Sequence, residues 1–369
     1  MLKPMDEKEI VSLLTFNSFS YKSIKFYTKL KEDFGTLYDA FKNADLSYFL
    51  NNKFPSSFVD EFLAKRALEF GKNELDRVNK YNVRITTIES NDYPVMLNGL
   101  HNAPLVLYIK GEVIADSVNF AIVGTRNPSG YGVKMAEKFA LELSRIGFCI
   151  VSGFARGIDT VVHTTCLKNK SRTYCVLGSG LLNIYPPENR NLVSKVVEYG
   201  GALISEFPLD TQPLQQNFPA RNRIISGLSL GTLVVEAGID SGALITASWA
   251  IEQNRELFVI PHRIDTSAGL GCLKLAQEGA KIVVSAQDIL DEFPALFKTT
   301  TDEKKSNKVS LKLSDTEKAV LETIGNEILS FDEIFYKVSL PLQKLNLTLL
   351  ELEVKGLIKK LPGNRYSKS

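Results

Sequence analysis

Residues 119–132 read NFAIVGTRNPSGYG, a short apolar run closed by a Gly-Thr-Arg turn. A run of this kind, apolar with almost no alternation, marks a strand buried on both faces. Five more follow it: FCIVSG, TYCVLGS, GALISEF, GTLVVEAG and ELFVIP, each ending in Gly, Ser or Pro or close to one, and most followed by a helical pattern. Such strands alternating with helices predict an α/β fold, a Rossmann-like doubly wound parallel sheet over residues 113–295. In these sheets ligands lie beyond the carboxyl ends of the strands, where the Gly and Ser residues fall.

Working outward, residues 1–75 carry apolar residues at helical spacing in DEKEIVSLLTF, SYKSIKFYTKLKEDF, TLYDAFKNA and SSFVDEFLAKRALEFG, and read as an N-terminal helical domain. Residues 76–112 hold two strand-like segments, VRITTIES and PLVLYIKG, which extend the central domain. Residues 296–312 are polar and charged and read as a linker. From 313 to 369 the pattern changes again. Ser314 with Glu317 three residues on has capping-box spacing, two more helical segments follow, and Pro362, Gly363 and Asn364 suit a hairpin tip. Three helices followed by a β-hairpin is the order of a winged-helix domain.

Composition narrows the function. With 44 Lys and Arg against 42 Asp and Glu the net charge is +2, so no global field draws the chain to a polyanion and any nucleic-acid affinity must be local. Cys149, Cys166, Cys175 and Cys272 form no CxxC pair, and three histidines offer no zinc spacing, which favours buried free thiols over metal ligands or disulfides. No metal or cofactor is expected. No apolar run approaches the ~20 residues of a membrane span, and MLKPMDEKEI lacks the pattern of a secretory signal, so a cytoplasmic location is expected.

Four loops carry the chemistry. After the first strand, Gly124 and Thr125 precede a helix with unpaired N–H groups, and Arg126 adds a bidentate donor for phosphate. Alone, this loop is more simply a strand-to-helix turn with a surface arginine, since it is not GxGxxG. After the second, Ser152 and Gly153 form another anion-binding turn with Arg156 beside it; Asp159 and His163, four apart, are a capping Asp and a partly buried His in preference to an acid/base pair. Gly178 and Ser179 close the third strand. Three such ends on adjacent strands describe a groove. In FPARNRIISGLS, Arg221 and Arg223 diverge on a helix and suit successive phosphates, Asn222 can bond a base edge or a neighbouring loop, and one arginine is expected to pair with Glu206 or Glu236. Ser241 and Gly242 open a further helix, on which Trp249 reads as core.

Together these segments resemble the DprA (Smf) family of DNA-processing proteins. VGTRNPSGYG, SGFARGIDTVVH, LGSGLLNIYPPEN, SEFPLDTQP, FPARNRIISGLS and EAGIDSGALITASWA follow the order of the family's signatures, and LLELEVKGLIKKLPGNRY resembles its winged helix. The resemblance implies a single-stranded-DNA-binding recombination mediator that catalyses no reaction, forms a homodimer through its Rossmann-like domain, and loads a RecA-type recombinase in natural transformation. It places the DNA groove on Gly124, Thr125, Arg126, Ser152, Gly153, Arg156, Gly178, Ser179, Arg221, Asn222, Arg223, Ser241 and Gly242. The chain departs from the family at His262, where a glycine is usual, and at Leu273, where asparagine is. FNSFSYKSI lacks the Gly-x-Gly of a helix-hairpin-helix, so the N-terminal helices are expected to be an accessory or interaction domain of SAM or helix-hairpin-helix type. The third helix of the winged-helix segment is rich in Leu and poorly basic, so protein contact there is at least as well supported as duplex binding.

Two other readings compete. GTLVVEAG echoes Rossmann-like enzymes that cleave nucleoside monophosphates at the N-glycosidic bond, which need an Arg and a Glu converging in a closed pocket; here Glu236 is expected to pair with an arginine. A ligand-regulated transcriptional winged helix is the other. If Arg126, Arg156, Arg221 and Arg223 each neutralise one phosphate, log affinity should fall against log salt with a slope of about three per protomer.

Overall fold

The computed structural model describes residues 6–20, 22–294, 314–325, 327–338, 340–354, 357–361 and 365–368. It divides into two compact units, Met1–Phe293 and Pro294–Ser369. The expected linker 296–312 and hairpin tip 362–364 lie outside the described residues.

The first unit begins with six helices: α1 (Glu7–Asn17), α2 (Ile24–Phe34), α3 (Leu37–Asn43), α4 (Leu46–Asn51), α5 (Ser56–Ala64) and α6 (Glu69–Lys80). Ser23, Thr36 and Asp45 cap three of them through the side chains that the sequence supplies at each start. Their centre is aromatic. Phe41 and Phe62 stack with ring centroids 4.2 Å apart, and Phe16, Phe49 and Phe58 are fully buried around them. Helix α6 runs across the boundary expected at residue 75. The same hydrophobic cluster continues from Phe16 and Phe58 into Val106, Tyr108, Cys175 and Leu203, so the helices share a core with the sheet that follows.

That sheet has nine strands: β1 (Arg84–Thr87), β2 (Val106–Gly111), β3 (Asn119–Val123), β4 (Cys149–Ser152), β5 (Thr173–Val176), β6 (Ala202–Ser205), β7 (Gly231–Val234), β8 (Glu256–Val259) and β9 (Lys281–Ile282). The order is β1-β2-β6-β5-β4-β3-β7-β8-β9. From β6 to β9 every pairing is parallel, whereas β2 runs antiparallel to β6 and β1 antiparallel to β2, so the sheet is mixed. Between the strands lie α7 (Gly130–Ile146), α8 (Ile158–Lys168), α9 (Val193–Glu198), α10 (Asn217–Gly227), α11 (Ala243–Glu252) and α12 (Leu270–Gln277), with α13 (Ala286–Leu290) after β9. Every residue of β3 to β7 is buried, as two covered faces demand. Ala121 and Val123 share a core cluster with Ile224 and Ile225 of α10 and Ala243 and Ala247 of α11; Phe120 packs instead with Phe148 and Phe258. All four cysteines are free and buried.

The second unit contains α14 (Asp315–Ile324), β10 (Leu329–Ser330), α15 (Phe331–Lys337), α16 (Leu342–Val354), β11 (Ile358–Leu361) and β12 (Arg365–Lys368), with strand order β10-β12-β11. Ser314 and Glu317 form the expected capping box, and Ser330 and Glu333 form another. On α16, Leu345, Leu349 and Leu352 join Val320, Ile334, Ile358 and Tyr366 in the core, which accounts for much of that helix's leucine content; Lys344 and Leu347 are exposed. This is a winged helix. Among the described residues no helix is long and apolar enough to cross a membrane.

Candidate nucleic-acid interface

Chain order in the sheet reverses between β3 and β7, because β4, β5 and β6 are laid down on one side of β3 and β7, β8 and β9 on the other. Doubly wound sheets take ligands at that point. A cleft of about 660 Å³ opens there, and Gly124, Thr125, Arg126, Arg221, Asn222, Ser241 and Gly242 line it. Ser152, Gly153, Arg156, Gly178, Ser179 and Arg223 are not among its lining residues.

The four guanidiniums expected to meet phosphate have unequal fates. Arg126 is exposed, pairs with no carboxylate among the described residues, and lies over the Phe218 ring, 5.5 Å from its centroid. Arg156 is half exposed but paired with Glu188, and lies over the ring of Tyr185 at 5.6 Å. Arg221 is 4% exposed and donates to two main-chain carbonyls, Gly153 at 2.6 Å and Val176, so it ties the end of β4 to the end of β5. Burial pulls its pKa down to about 10, against the opposing pull of Asp159 and with the help of Arg126. Arg223 grips Glu206 with both terminal nitrogens, at 2.5 and 2.6 Å, and donates from Nε to the Asn102 carbonyl at 2.9 Å. Burial acts to raise the Glu206 pKa, but Arg223 and Lys22 outweigh it and hold the carboxyl below its ordinary value. An acidic partner was expected for one of the two arginines, and Arg223 has it. Two diverging forks on successive phosphates is corrected: one fork is filled by carbonyls and the other by a carboxylate.

The glycines have structural neighbours. A Cβ on Gly124 would stand 2.6 Å from Ile158 Cγ1, on Gly153 2.8 Å from Arg221 Nη2, and on Gly178 2.7 Å from Phe218 Cδ1. Gly178 thereby makes room for a ring of the cleft wall. Gly242 is different, since a Cβ there would meet open space. Ser152 and Ser179 are buried and donate to the carbonyls of Ile122 and Asn183, both at 2.7 Å, so neither hydroxyl faces the cleft. Ser241 Oγ accepts from the Ala243 amide at 3.3 Å, and Asn222 Nδ2 donates to the Gly242 carbonyl at 3.3 Å, joining α10 to the start of α11.

Two carboxylates sit at helix starts where an anion would otherwise bind. Glu236, fully buried, accepts from the Ser129 amide at 3.1 Å and the Ser129 hydroxyl at 2.8 Å at the head of α7. The expectation that it pairs with an arginine is therefore corrected; it completes a helix cap. Asp159 Oδ2 accepts from the Ala155 amide at 3.2 Å in the loop before α8, and burial pushes its carboxyl up against the pull of Arg221. His163 is fully buried, with Nδ1 2.8 Å from Thr173 Oγ1. Because that hydroxyl donates to the Ile150 carbonyl, it accepts from the ring, and the imidazole is held neutral by burial with its pKa pulled down to about 3. No acid/base pair forms. His262 bonds the Val235 carbonyl at 2.8 Å and meets Tyr131 edge-on, bracing the loop after β8. Trp249 is half-buried. Among the described residues no group of three or more His, Cys, Asp or Glu is placed to hold a metal ion.

Two residues of the cleft were missed in the sequence. Phe218 and Tyr185 line it with ring centroids 5.8 Å apart, each carrying an arginine over its face. The signal was present in FPARN, where an aromatic stands three residues before the arginine cluster. Such a surface offers a guanidinium to phosphate and rings to bases.

The fold and site define a Rossmann-like α/β protein with a switch-point cleft and a winged-helix unit. The family model for DNA recombination-mediator protein A matches residues 84–294, and that for the DprA winged helix domain matches 304–364. Protein Smf of Escherichia coli strain K12 is 36% identical over 81% of this chain and 82% of its own length, and DNA processing protein DprA of Bacillus subtilis is 44% identical over 56% and 70%. The solved structure of DprA from Streptococcus pneumoniae superposes with a TM-score of 0.64 at 32% identity, covering 78% of this chain and 98% of that one. A Helicobacter pylori DNA processing protein A structure, reported for its single-stranded DNA binding mode, gives 0.51 at 29% identity, with 57% and 95% covered. The chain belongs to the DprA (Smf) family of DNA recombination-mediator proteins.

Proposed function

We propose that this chain binds single-stranded DNA in the β3/β7 cleft, acting in the cytoplasm as a homodimer through its Rossmann-like domain. In this reading it shields incoming DNA and passes it to a RecA-type recombinase in natural transformation, with no catalytic step of its own. One observation carries the DNA reading: Arg126 stands exposed over Phe218, with Tyr185 beside it, in the cleft at the switch point. An arginine without a carboxylate partner meets a phosphate, aromatic faces take unpaired bases, and the stacked bases of a duplex have no face to give them. Of the thirteen residues placed in the groove by sequence, Gly124, Thr125, Arg126, Asn222, Ser241 and Gly242 are assigned to direct contact. Ser152, Gly153, Gly178, Ser179, Arg221 and Arg223 are assigned to holding the walls, and Arg156 to the rim. The family resemblance supports the same assignment of function.

The N-glycosidase reading finds no support in the site, since Glu236, the carboxylate it requires, is buried beneath Ser129. Anisotropy of a labelled oligo-dT against a duplex of equal length tests the proposal. Single strands should bind at least tenfold tighter, and because Arg126 alone of the four guanidiniums has no acceptor among the described residues the salt slope should lie nearer one than three per protomer. Equal affinity for both forms, or release of adenine from AMP, would overturn it.

A further inference from the structure

The connection from β6 to α10, residues 206–216, bonds to the β5 loop and to α10, two walls of the cleft, and the N-terminal helices hold it. Asn17 of α1 donates to the Glu206 carbonyl at 2.9 Å, Glu74 of α6 accepts from the Leu209 amide at 2.7 Å, and Arg77 of α6 pairs with Asp210 at 2.5 Å. On its other side the connection grips the β5 loop: Gly180 donates to the Thr211 carbonyl at 2.9 Å, and Asn183 Nδ2 to the Asp210 carbonyl at 2.7 Å. A Cβ on Gly180 would stand 2.2 Å from the carbonyls of Pro208 and Leu209, so the two loops are in direct backbone contact. At its head, Glu206 takes Arg223 of α10 in a two-bond clasp. Helix α10 carries Phe218, Pro219, Arg221, Asn222 and Ile225, which make one wall of the cleft.

We infer that the Glu206–Arg223 clasp is a positioning device through which helices α1 and α6 set the placement of the α10 wall, so that the N-terminal helices govern DNA affinity without touching the strand. The inference rests on the DNA reading of the cleft. It accounts for two features left unexplained by an accessory role for residues 6–80: the buried carboxylate Glu74, 2% exposed and bonded to a backbone amide 135 residues away, and a bidentate ion pair whose members do not line the cleft. A Glu-Arg pair with both oxygens and both nitrogens engaged fixes direction as well as distance, which a single contact does not.

Glu206→Gln separates this inference from direct contact by sign. If Arg223 were a phosphate ligand merely restrained by Glu206, releasing it would strengthen binding of oligo-dT and steepen the salt slope by about 0.7. If the clasp positions α10, affinity falls about three- to thirty-fold with the slope unchanged, the range expected for coupling carried through packed elements. Arg77→Ala removes the exposed tie to Asp210 and should weaken binding in the same direction, by a smaller factor, again at constant slope. Trp249, the sole tryptophan, lies on α11 next to α10 and reports the wall: its emission should shift in Glu206→Gln while the thermal transition stays cooperative. Tighter binding, a steeper slope, or unaltered affinity in both variants would overturn the inference. A wild-type protein that fails to bind oligo-dT at all would instead strike the DNA reading itself. Should Glu206→Gln fail to fold, Arg77→Ala alone decides.

Discussion

Replacing Arg126 with alanine removes the one guanidinium of the cleft that the fold itself does not use. The side chain is exposed, and among the described residues its close partner is the face of Phe218, so stability should change by no more than about 0.5 kcal/mol. The loss in binding follows from two overlapping terms. One single-strand phosphate contact contributes ~0.7 to the salt slope, worth about fourfold at 0.15 M salt by counterion release. A charge-assisted hydrogen bond contributes about 1.5–3 kcal/mol. Because both describe the same ion pair, the expected loss is roughly ten- to a hundredfold, with the slope falling by ~0.7 per protomer. Arg126→Lys should restore the slope and only part of the affinity, since a point charge lacks the planar fork. Anisotropy with labelled oligo-dT at four salt concentrations measures both quantities. A loss of affinity in Arg126→Ala at constant slope would show that the arginine acts on Phe218 and not on phosphate, and no loss at all would remove the observation on which the functional reading rests.

Two further predictions concern the scaffold beneath the cleft. Gly132→Ala places a methyl 1.9 Å from Glu236 Oε2, so the cap on α7 must break or shift; urea unfolding should show a loss of about 1–3 kcal/mol, and an unchanged midpoint would contradict the packing described. His163 is neutral in the fold with its pKa pulled down to about 3 from 6.5. Between those values the unfolded chain binds a proton that the native state refuses, so stability is complete above pH 6.5 and falls as pH drops below it, by at most ~1.4 kcal/mol per unit. From pH 7 to 5, above the ordinary carboxylate range, wild type should lose about 2 kcal/mol more than His163→Gln; parallel losses would mean that the imidazole is not the group responsible.

Much of the architecture was legible because it depends on local patterns. Strands covered on both faces must be apolar throughout, and apolar runs ending in or close to Gly, Ser or Pro reported each of β3 to β8. The capping box of Ser314 and Glu317 in the winged helix was equally local. The fusion of the N-terminal helices with the sheet was not legible. It rests on contacts such as Asn17 to Glu206 and Glu74 to Leu209, 189 and 135 residues apart, and on an aromatic core whose apolar positions look the same whether they face other helices or a sheet.

The site was half legible for a related reason. Glycines and serines at strand ends located the cleft, since close backbone approach leaves a compositional trace whether the approaching group is a ligand or another loop. What composition does not distinguish is a guanidinium engaged by the fold from one held out to solvent. Arg223 could be suspected, because its partner Glu206 has a charge of its own to notice. Arg221 could not: it is engaged by the carbonyls of Gly153 and Val176, 68 and 45 residues away, and any residue type supplies a carbonyl. Arg126 differs from Arg221 only in what the chain folds around it. A groove read from sequence therefore overcounts its phosphate ligands wherever backbone acceptors converge at strand ends, and strand ends are where a doubly wound sheet puts both its orphan carbonyls and its ligands.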